Sequence, residues 1–203
     1  DFNKWVHRDT GVTEPDEPVA EWTRGLLYGG HPTFGEHDFT VVVEKATGRI
    51  VSTLNLISQT WTYGGIPFGV GRVELVGTAP EYRKRGLVRL QFDVVHGLSA
   101  ERGEQVQAIT GIPYYYRQFG YEMAMDLSGG RIGYLPSIPV LKEGQAEQFI
   151  LRQVVEDDLD FVFELDRLSA RRSLVHVPRD TRLWRYEILG RRAGDVQRLE
   201  WRI

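Results

Sequence analysis

The stretch at residues 72–102 constrains the fold of this chain more than any other part of its sequence. It opens with RVELVGT, a run rich in β-branched residues that predicts a strand, and a proline soon ends that run. A turn with three consecutive basic residues, Arg83–Arg85, follows, and then Gly86. Leucine and valine recur at helical spacing from there on, which predicts an amphipathic helix over residues 86–102.

A strand, a glycine-containing turn and a helix in this order form a local arrangement that binds phosphate groups. The first amides of a helix have no acceptor inside the helix, and the helix dipole adds partial positive charge at the same end. A glycine in the turn lets the backbone approach a bulky anion closely. The basic residues alone fit either a solvated surface turn or a phosphate site.

The flanking segments predict a mixture of strands and helices. The apolar spacing in PVAEWTRGLLYGG predicts a helix, and two β-rich runs on either side of Ala46–Gly48 predict a β-hairpin. After the helix at residues 86–102, the sequence predicts a short strand at 105–110, a short helix at 114–120 and a further strand at 121–127.

A shift in composition divides the chain into two units. Residues 1–130 form the first unit, residues 131–148 predict a linker that contains one short strand, and residues 149–203 begin a second unit. FILRQVV predicts a strand at the start of the second unit, followed by a helix that the acidic run EDD caps and by another helix that ends at Gly190. A piece of this size buries little core alone, so we expect it to pack on the first unit or to belong to a longer protein.

Composition and charge exclude several functions. The formal net charge is −3 at pH 7, which argues against a nucleic-acid-binding protein, and no apolar run approaches the roughly 20 residues that cross a bilayer. The chain has no cysteine, which rules out a disulfide framework, a cysteine-ligated metal and a cysteine nucleophile, and fits a cytoplasmic location. Its five histidines show no spacing typical of metal ligands, so we expect no metal site.

Two segments resemble the motifs of a known family. Val76–Val88, VGTAPEYRKRGLV, closely resembles the acetyl-CoA-binding motif V-x-V-x-P-x-x-[R/Q]-x-x-G-x-[G/A] of the GNAT superfamily of N-acetyltransferases. Thr78 stands at the second valine of that motif, and Val88 stands at its final small residue. Tyr116–Tyr121, YRQFGY, looks like the family's Y-x-x-x-G-[FY] segment, which follows the fifth strand. The resemblance implies an α/β (α+β) fold with a mixed, mostly antiparallel sheet that is flanked by helices and splayed at its central strands.

Both motifs are most similar to those of the tandem-GNAT aminoglycoside acetyltransferases of the enhanced-intracellular-survival type. The resemblance covers residues 20–127, and residues 149–190 look like the opening strand and two helices of a second GNAT unit. The first unit lacks an opening strand and helix of its own, so we expect the chain to be an internal segment of a longer protein. In such a segment Ile203 is not expected to supply the C-terminal carboxylate that is the base in this group. Members of the group tend to assemble, which implies a homo-oligomer.

By resemblance, acetyl-CoA is the co-substrate and a small amine is the acceptor. The backbone groups of Val76 and Thr78 would pair with the pantetheine arm like an added strand, and the amides of Lys84–Val88 would hold the pyrophosphate. The arginine side chains of the turn would either contact phosphates or lie in solvent as part of an ordinary surface. The residues that this resemblance assigns to cofactor binding are Val76, Gly77, Thr78, Arg83, Lys84, Arg85, Gly86, Leu87, Val88 and Arg89.

Acetyl transfer to an amine needs a neutral amine, a polarised thioester carbonyl and a proton donor for the leaving thiolate. By resemblance, Tyr116 is this proton donor, and the alternative is that its ring belongs to a core cluster of Tyr114–Tyr116. Glu74 matches a glutamate that the family often uses as a base on the splayed strand, directly or through water. Its other role would be an ion pair with Arg72 or Arg131.

Further aromatic residues fit either an acceptor pocket or ordinary core and hairpin packing. They are Trp22, Phe34, Trp61, Tyr63 and Phe68. We therefore expect an acetyl-CoA-dependent N-acetyltransferase that acts on a primary amine of a small molecule, such as an aminoglycoside or a polyamine, with Tyr116 as general acid. The alternative is a GNAT-like unit that binds CoA or a partner without turnover, which Val88 and the unassigned base leave open.

Overall fold

The computed structural model describes residues 2–126 and 134–203. The helices are α1 (Phe2–Val6), α2 (Glu17–Tyr28), α3 (Leu87–Glu101), α4 (Leu159–Ala170) and α5 (Thr181–Arg185). The strands are β1 (Phe39–Val43), β2 (Ile50–Tyr63), β3 (Ile66–Thr78), β4 (Val106–Ile109) and β5 (Val175–His176). Short 3-10 turns occur at Glu36–Asp38, Pro80–Tyr82, Tyr115–Phe119, Leu135–Ser137 and Glu156–Asp158, and a π-helical turn at Tyr186–Gly190 follows α5. Within the described residues, no helix has the length and apolar character needed to cross a membrane.

The strands form one sheet in the order β1-β2-β3-β4, and β5 pairs with the far end of β2. The pairs β1–β2, β2–β3 and β2–β5 are antiparallel, whereas β3 and β4 run parallel. α3 lies in the crossover that the parallel pair requires. The predicted α/β fold with a mixed, mostly antiparallel sheet flanked by helices is confirmed.

The two central strands separate halfway along β3. β4 pairs with β3 only over Val70–Val73, which leaves Glu74–Thr78 without β4 beside it. A β-bulge lies in this second stretch, where Leu75 adopts a left-handed φ of 52°. A bulge bends the strand that carries it, so β3 departs from the line of its parallel neighbour. This is the splay that the sequence predicted.

α3 and α2 cover opposite faces of the sheet. Against α3 lies a core of Leu54, Leu56, Val73, Phe92 and Val95, and against α2 lies a core of Val19, Trp22, Leu26, Phe34, Ile57 and Leu75. Because side chains alternate between faces along a strand, β2 contributes Leu56 to the first core and Ile57 to the second. Each such side chain contributes about 1.5–3 kcal/mol when fully buried, so the two cores hold β3 firmly between the helices.

The C-terminal segment, residues 149–203, packs on the first unit. This packing was one of the two possibilities that the sequence analysis left open. β5 extends the sheet at the end of β2, where Thr62 pairs with His176. The Arg192 side chain donates to Glu21 of α2 at 2.6 Å, and the amide of Val196 donates to the carbonyl of Pro18 at 3.2 Å. The segment also has a small core of its own, formed by Val154, Leu159, Val162, Trp184 and Ile188.

Most predicted elements are present, with changed limits. The helix in PVAEWTRGLLYGG, the hairpin around Gly48, the helix at 86–102 and the short strand and helix that follow it are all found. The strand predicted at 72–78 begins earlier, at Ile66. The acidic run forms a turn ahead of α4, and Asp158 there accepts a hydrogen bond from the amide of Val155.

Two predicted strands are wrong. Residues 121–126 form no strand; Tyr121 instead packs its ring on Phe92 and shares a hydrogen bond with His96 at 3.0 Å. Residues 149–155 make only an isolated bridge, between Gln153 and Arg202 near the end of the chain. Alternating sequence in both segments suits a strand, but neither segment pairs with a strand of the sheet. Residue 127 and the start of the predicted linker, 131–133, lie outside the described residues, and 134–148 contains no strand.

Candidate active site

A groove of about 710 Å³ runs between the open stretch of β3 and the N-terminus of α3. All the residues that the sequence assigned to cofactor binding line it: Val76, Gly77, Thr78, Arg83, Lys84, Arg85, Gly86, Leu87, Val88 and Arg89. The turn at Tyr115–Phe119 forms the facing wall, and Tyr116 lies within it. The two motifs that are separated in the sequence therefore share one groove.

The floor of this groove carries unpartnered backbone amides. In the described part of the chain, the amides of residues 84–89 donate to no backbone or side-chain acceptor. Gly86, the residue before α3, has a φ of 76°, and Lys84 has a φ of 61°. Glycine adopts this left-handed conformation without steric cost, whereas lysine does so at a cost of roughly 1 kcal/mol or more. The turn is thus held in a conformation that presents donors to the groove.

The three arginine side chains of the predicted phosphate site are already engaged with the protein. Arg83 Nε donates to the carbonyl of Thr78 at 3.2 Å, so this carbonyl has a partner in addition to any ligand. Arg85 Nη2 donates to the Glu81 carbonyl at 2.9 Å, and Arg89 Nη1 donates to the Gln118 carbonyl at 3.3 Å. These contacts position the guanidinium groups along the groove without neutralising them, because their partners are carbonyls.

Val88, the residue that departs from the family motif, has a structural explanation. Its side chain is half-buried and packs against the core around Leu54 and Phe92. The extra bulk is therefore accommodated by the core, and the Val88 amide remains among those without an acceptor.

A second cavity, of about 240 Å³, opens beside the groove. Both predicted catalytic residues, Glu74 and Tyr116, line it. Four residues line the groove and the cavity alike: His7, Val76, Ile112 and Tyr116. The cavity therefore adjoins the groove at the tyrosine, at the bulged part of β3 and at a histidine that the sequence did not single out.

The Tyr116 ring packs in an aromatic cluster, and its role as proton donor stays a prediction. Its ring lies 6.0 Å from that of Phe92 within the aromatic cluster, and a Cβ atom at Gly111 would overlap the ring. The absence of a side chain at Gly111 thus sets where the tyrosine can lie. Its hydroxyl group donates to no acceptor among the described residues. Burial, with smaller contributions from Tyr115 and Glu74, raises the pKa of Tyr116 to about 12, so the phenol stays protonated.

Glu74 is 8% exposed, and its Oε1 atom lies 2.6 Å from Arg72 Nη2. Side chains two residues apart on a strand point to the same face, which brings this pair together. Burial raises the pKa of Glu74, and the nearby Arg72 guanidinium opposes the rise. The predicted ion pair with Arg72 is present, while the other predicted partner, Arg131, lies outside the described residues.

The aromatic residues considered for an acceptor pocket are dispersed. Trp22 lines the small cavity and also belongs to the core against α2, where Phe34 lies too. Trp61 and Phe68 face each other across the β2–β3 hairpin, and Tyr63 at its end is 57% exposed. Of these five aromatic residues, Trp22 lines the small cavity.

Comparison with known proteins agrees with this geometry. The family description "Acetyltransferase (GNAT) domain" matches residues 11–124. A probable N-acyltransferase from Enterococcus faecalis V583 has 14% sequence identity, and the match covers 94% of this chain and 45% of that one with a TM-score of 0.61. The N-myristoyltransferase of Saccharomyces cerevisiae, solved with bound myristoyl-CoA, has 12% identity over 85% of this chain and 44% of that one, with a TM-score of 0.57.

A weaker match is Eis1 from Mycobacterium abscessus, with 20% identity over 54% of this chain and 28% of that one and a TM-score of 0.42. The chain spans less than half the length of these three structures. No curated protein sequence matches it. At these identities the solved structures establish the fold alone, whereas the family match spans more than half of the chain. The chain therefore belongs to the GNAT family of acetyltransferase domains.

Proposed function

We propose that this domain transfers the acetyl group of acetyl-CoA directly to a primary amine of a small molecule, with Tyr116 as general acid. One observation carries the proposal: a single groove joins the unpartnered amides of residues 84–89 to Tyr116. GNAT enzymes use acetyl-CoA. The residues present here fit that co-substrate at both of its ends, the pyrophosphate and the thioester.

The pyrophosphate end is supported by charge and by donor geometry. A row of free amides at a helix N-terminus carries the equivalent of about half a positive charge, which suits an anion. Lys84 adds a side chain with no acidic partner in the described residues. We propose that the amides of Lys84–Val88 hold the pyrophosphate and that Arg83, Arg85 and Arg89 contribute charge around it.

The pantetheine arm would lie along the open stretch of β3. Strand backbone that lacks a neighbour offers donors and acceptors to an extended ligand, as an added strand would. The stretch Glu74–Thr78 has no β4 beside it and contains Val76, Gly77 and Thr78, which line the groove. Of these backbone groups the Thr78 carbonyl already accepts from Arg83, so we expect the ligand to depend mainly on Val76.

The chemistry follows from the residues around the small cavity. Acetyl-CoA supplies an acetyl thioester, whose carbon–sulfur bond breaks as the carbon–nitrogen bond forms. Tyr116 donates its phenolic proton towards the sulfur as negative charge develops there. Glu74 places a buried carboxylate in the same cavity, where it attracts the ammonium group of the acceptor and is a candidate to take its proton, directly or through water.

The acceptor class rests on the size and charge of the cavity. A volume of about 240 Å³ admits an amino group with its neighbouring carbons rather than a whole oligosaccharide. An aminoglycoside or a polyamine meets this condition, because each presents a primary amine at the end of a larger body. The body of such a molecule would remain outside the cavity.

The division of the chain belongs to the same proposal. We propose that residues 1–130 form the catalytic unit and that residues 149–203 are the start of a second GNAT-like unit, as in the tandem group. Residues 131–148 would be the linker between the two units. The separate small core around Trp184 and Trp201 supports a unit of its own. We also propose a homo-oligomer, because members of the group that the chain resembles tend to assemble.

The test combines binding with turnover. Calorimetry measures acetyl-CoA binding to the wild type and to Gly86→Val, where a branched side chain at φ 76° should distort the turn and weaken binding. A thiol-reactive dye then follows CoA release with a panel of polyamines and aminoglycosides. Absence of acetyl-CoA binding would refute the proposal, and binding without thiol release from any acceptor would favour a binding module.

A further inference from the structure

His7 lies where the groove meets the small cavity, although it is distant in sequence from the other three residues that line both spaces. α1 is anchored by Asn3, which accepts a hydrogen bond from Thr53 Oγ1 at 2.7 Å and donates one to Thr23 Oγ1 at 3.2 Å. This places the His7 ring over β3. A Cβ atom at Gly77 would lie 3.1 Å from His7 Nε2, so the glycine leaves the space that the imidazole occupies.

The Nε2 atom of His7 is buried and has no hydrogen-bond partner in the described structure. A buried polar atom without a partner costs about 1–3 kcal/mol, and such atoms in native proteins call for an explanation. The ring borders the same two spaces as Tyr116. The His7 and Tyr116 side chains therefore border the same two spaces that a bound acceptor and thioester would occupy.

We propose that His7 is a second catalytic residue, whose Nε2 takes a proton from the ammonium group of the acceptor and so frees the amine that attacks the thioester. This inference rests on the proposed function and assigns its base. Nε2 takes a proton from the bound ammonium, and the free amine nitrogen then bonds to the acetyl carbon as the carbon–sulfur bond breaks with its electron pair on sulfur. The sulfur takes the Tyr116 proton. The tyrosinate takes the proton that the nitrogen sheds after attack, and the imidazolium releases its own to solvent, so the net reaction is ammonium plus thioester to amide, thiol and a proton.

Glu74 is less suited to this step because Arg72 holds it. Its Oε1 atom lies 2.6 Å from the guanidinium, so the carboxylate already faces a cation. The negative charge in the cavity then attracts the ammonium group of the acceptor, while His7 Nε2 has no competing partner.

The protonation state of His7 agrees with this assignment. Burial lowers the pKa of the ring, while hydrogen bonding to the Leu75 backbone and the charge of Asp16 oppose the shift. The neutral imidazole is therefore the form at pH 7, ready to accept a proton. The other titratable groups that share its two cavities are Glu74, Tyr82, Arg83, Lys84, Arg85, Arg89, Tyr115 and Tyr116.

The test is the pH dependence of kcat/KM for the amine at saturating acetyl-CoA. With a general base present, log kcat/KM should be level between the pKa of the base and that of the amine, because the base removes the proton from the bound ammonium. His7→Gln should lower the rate by about 10²-fold and turn this level region into a line of slope one, since only free amine then reacts. His7→Gly should regain activity with added imidazole. His37→Gln, at a histidine whose side chain is 94% exposed, is the matched control.

Each outcome distinguishes the two proposals. If the wild type turns over amines and His7→Gln keeps the level region, the assignment of His7 is wrong, and a slope of one in Glu74→Gln would give the role to that carboxylate. If the wild type releases no thiol with any amine, the proposed function fails and this inference with it. Should neither His7 variant melt cooperatively, the His7 ring is followed by NMR in the wild type, and a pKa that acceptor binding leaves unchanged would overturn the assignment.

Discussion

Replacing Tyr116 by phenylalanine would remove the proposed proton donor and leave the ring in place. The hydroxyl donates to no acceptor in the described residues, and the ring keeps its contacts with Phe92 at 6.0 Å and Phe119 at 6.4 Å. We therefore expect the free energy of unfolding to change by less than about 1 kcal/mol. Acetyl-CoA affinity should stay within about twofold, because the phosphate end of the groove is untouched.

The size of the rate effect follows from the pKa of the phenol. Burial raises it to about 12, whereas a thiol has a pKa of roughly 8.5, so complete proton transfer to the thiolate is uphill. The hydroxyl then acts mainly as a hydrogen-bond donor to developing charge. General acids contribute about 10²–10⁴-fold, and we expect the lower end here, a fall in kcat of about 10²-fold or roughly 2.7 kcal/mol of barrier.

Thiol release under saturating acetyl-CoA and acceptor measures this effect. Tyr114→Phe is the matched control, since Tyr114 is 67% exposed and does not line the groove. An acetyl thioester with a more acidic thiol should restore part of the lost rate in Tyr116→Phe, because a better leaving group needs less help. A kcat equal to that of the control, or lost acetyl-CoA binding in a folded variant, would refute the assignment of Tyr116 as the acid.

Three further changes test other parts of the structure. Val88→Ala should bind acetyl-CoA at least as tightly as the wild type in calorimetry but melt a few degrees lower, because its methyl groups pack against the core; lost binding in a folded protein would mean that the motif is misaligned. Gly111→Ala should lower kcat more than acetyl-CoA affinity, since the added Cβ overlaps the Tyr116 ring, and unchanged turnover would contradict this view of ring placement. Burial lowers the pKa of His31 to about 4, and the ring lies 4.7 Å from that of Tyr186. As the pH falls below 6.5, His31 therefore becomes protonated in the unfolded chain before it does so in the folded protein. The free energy of unfolding should drop by about 2 kcal/mol between pH 7 and pH 5. Urea titrations at both pH values check it, and an equal drop in His31→Phe would disprove the origin in His31.

The groove between β3 and α3 could be predicted from the sequence because its parts are local. Strand, basic turn and helix follow one another within residues 72–102, so their order alone brings the free amides of α3 next to β3. Arg72 was one of two ion-pair partners that the sequence offered for Glu74, and strand geometry explains the pair, since both side chains point to one face. Contacts between residues that are close in sequence can therefore be predicted from the sequence pattern.

The small cavity needed the tertiary structure. His7 reaches it through a hydrogen bond between Asn3 and Thr53, which are separated by 50 positions and linked by no sequence pattern. The strand predicted at 121–127 failed for a related reason: its alternation suits a sheet edge, but Tyr121 is drawn to the aromatic cluster around Phe92. The periodicity of a segment shows that it could form a strand. Whether a neighbouring strand is present for it to pair with depends on the tertiary structure.

The separation of β3 from β4 has a consequence for how this protein should respond to its substrate. Half of a central strand, Glu74–Thr78, faces a groove where the rest of the sheet has a hydrogen-bonded neighbour. An extended ligand that pairs there would act as a missing structural element, and a ligand that binds only the folded state stabilises it by about 2.7 kcal/mol at a hundredfold excess over its Kd. Acetyl-CoA should therefore slow hydrogen exchange on both sides of the groove, so that substrate occupancy sets the rigidity of the whole sheet.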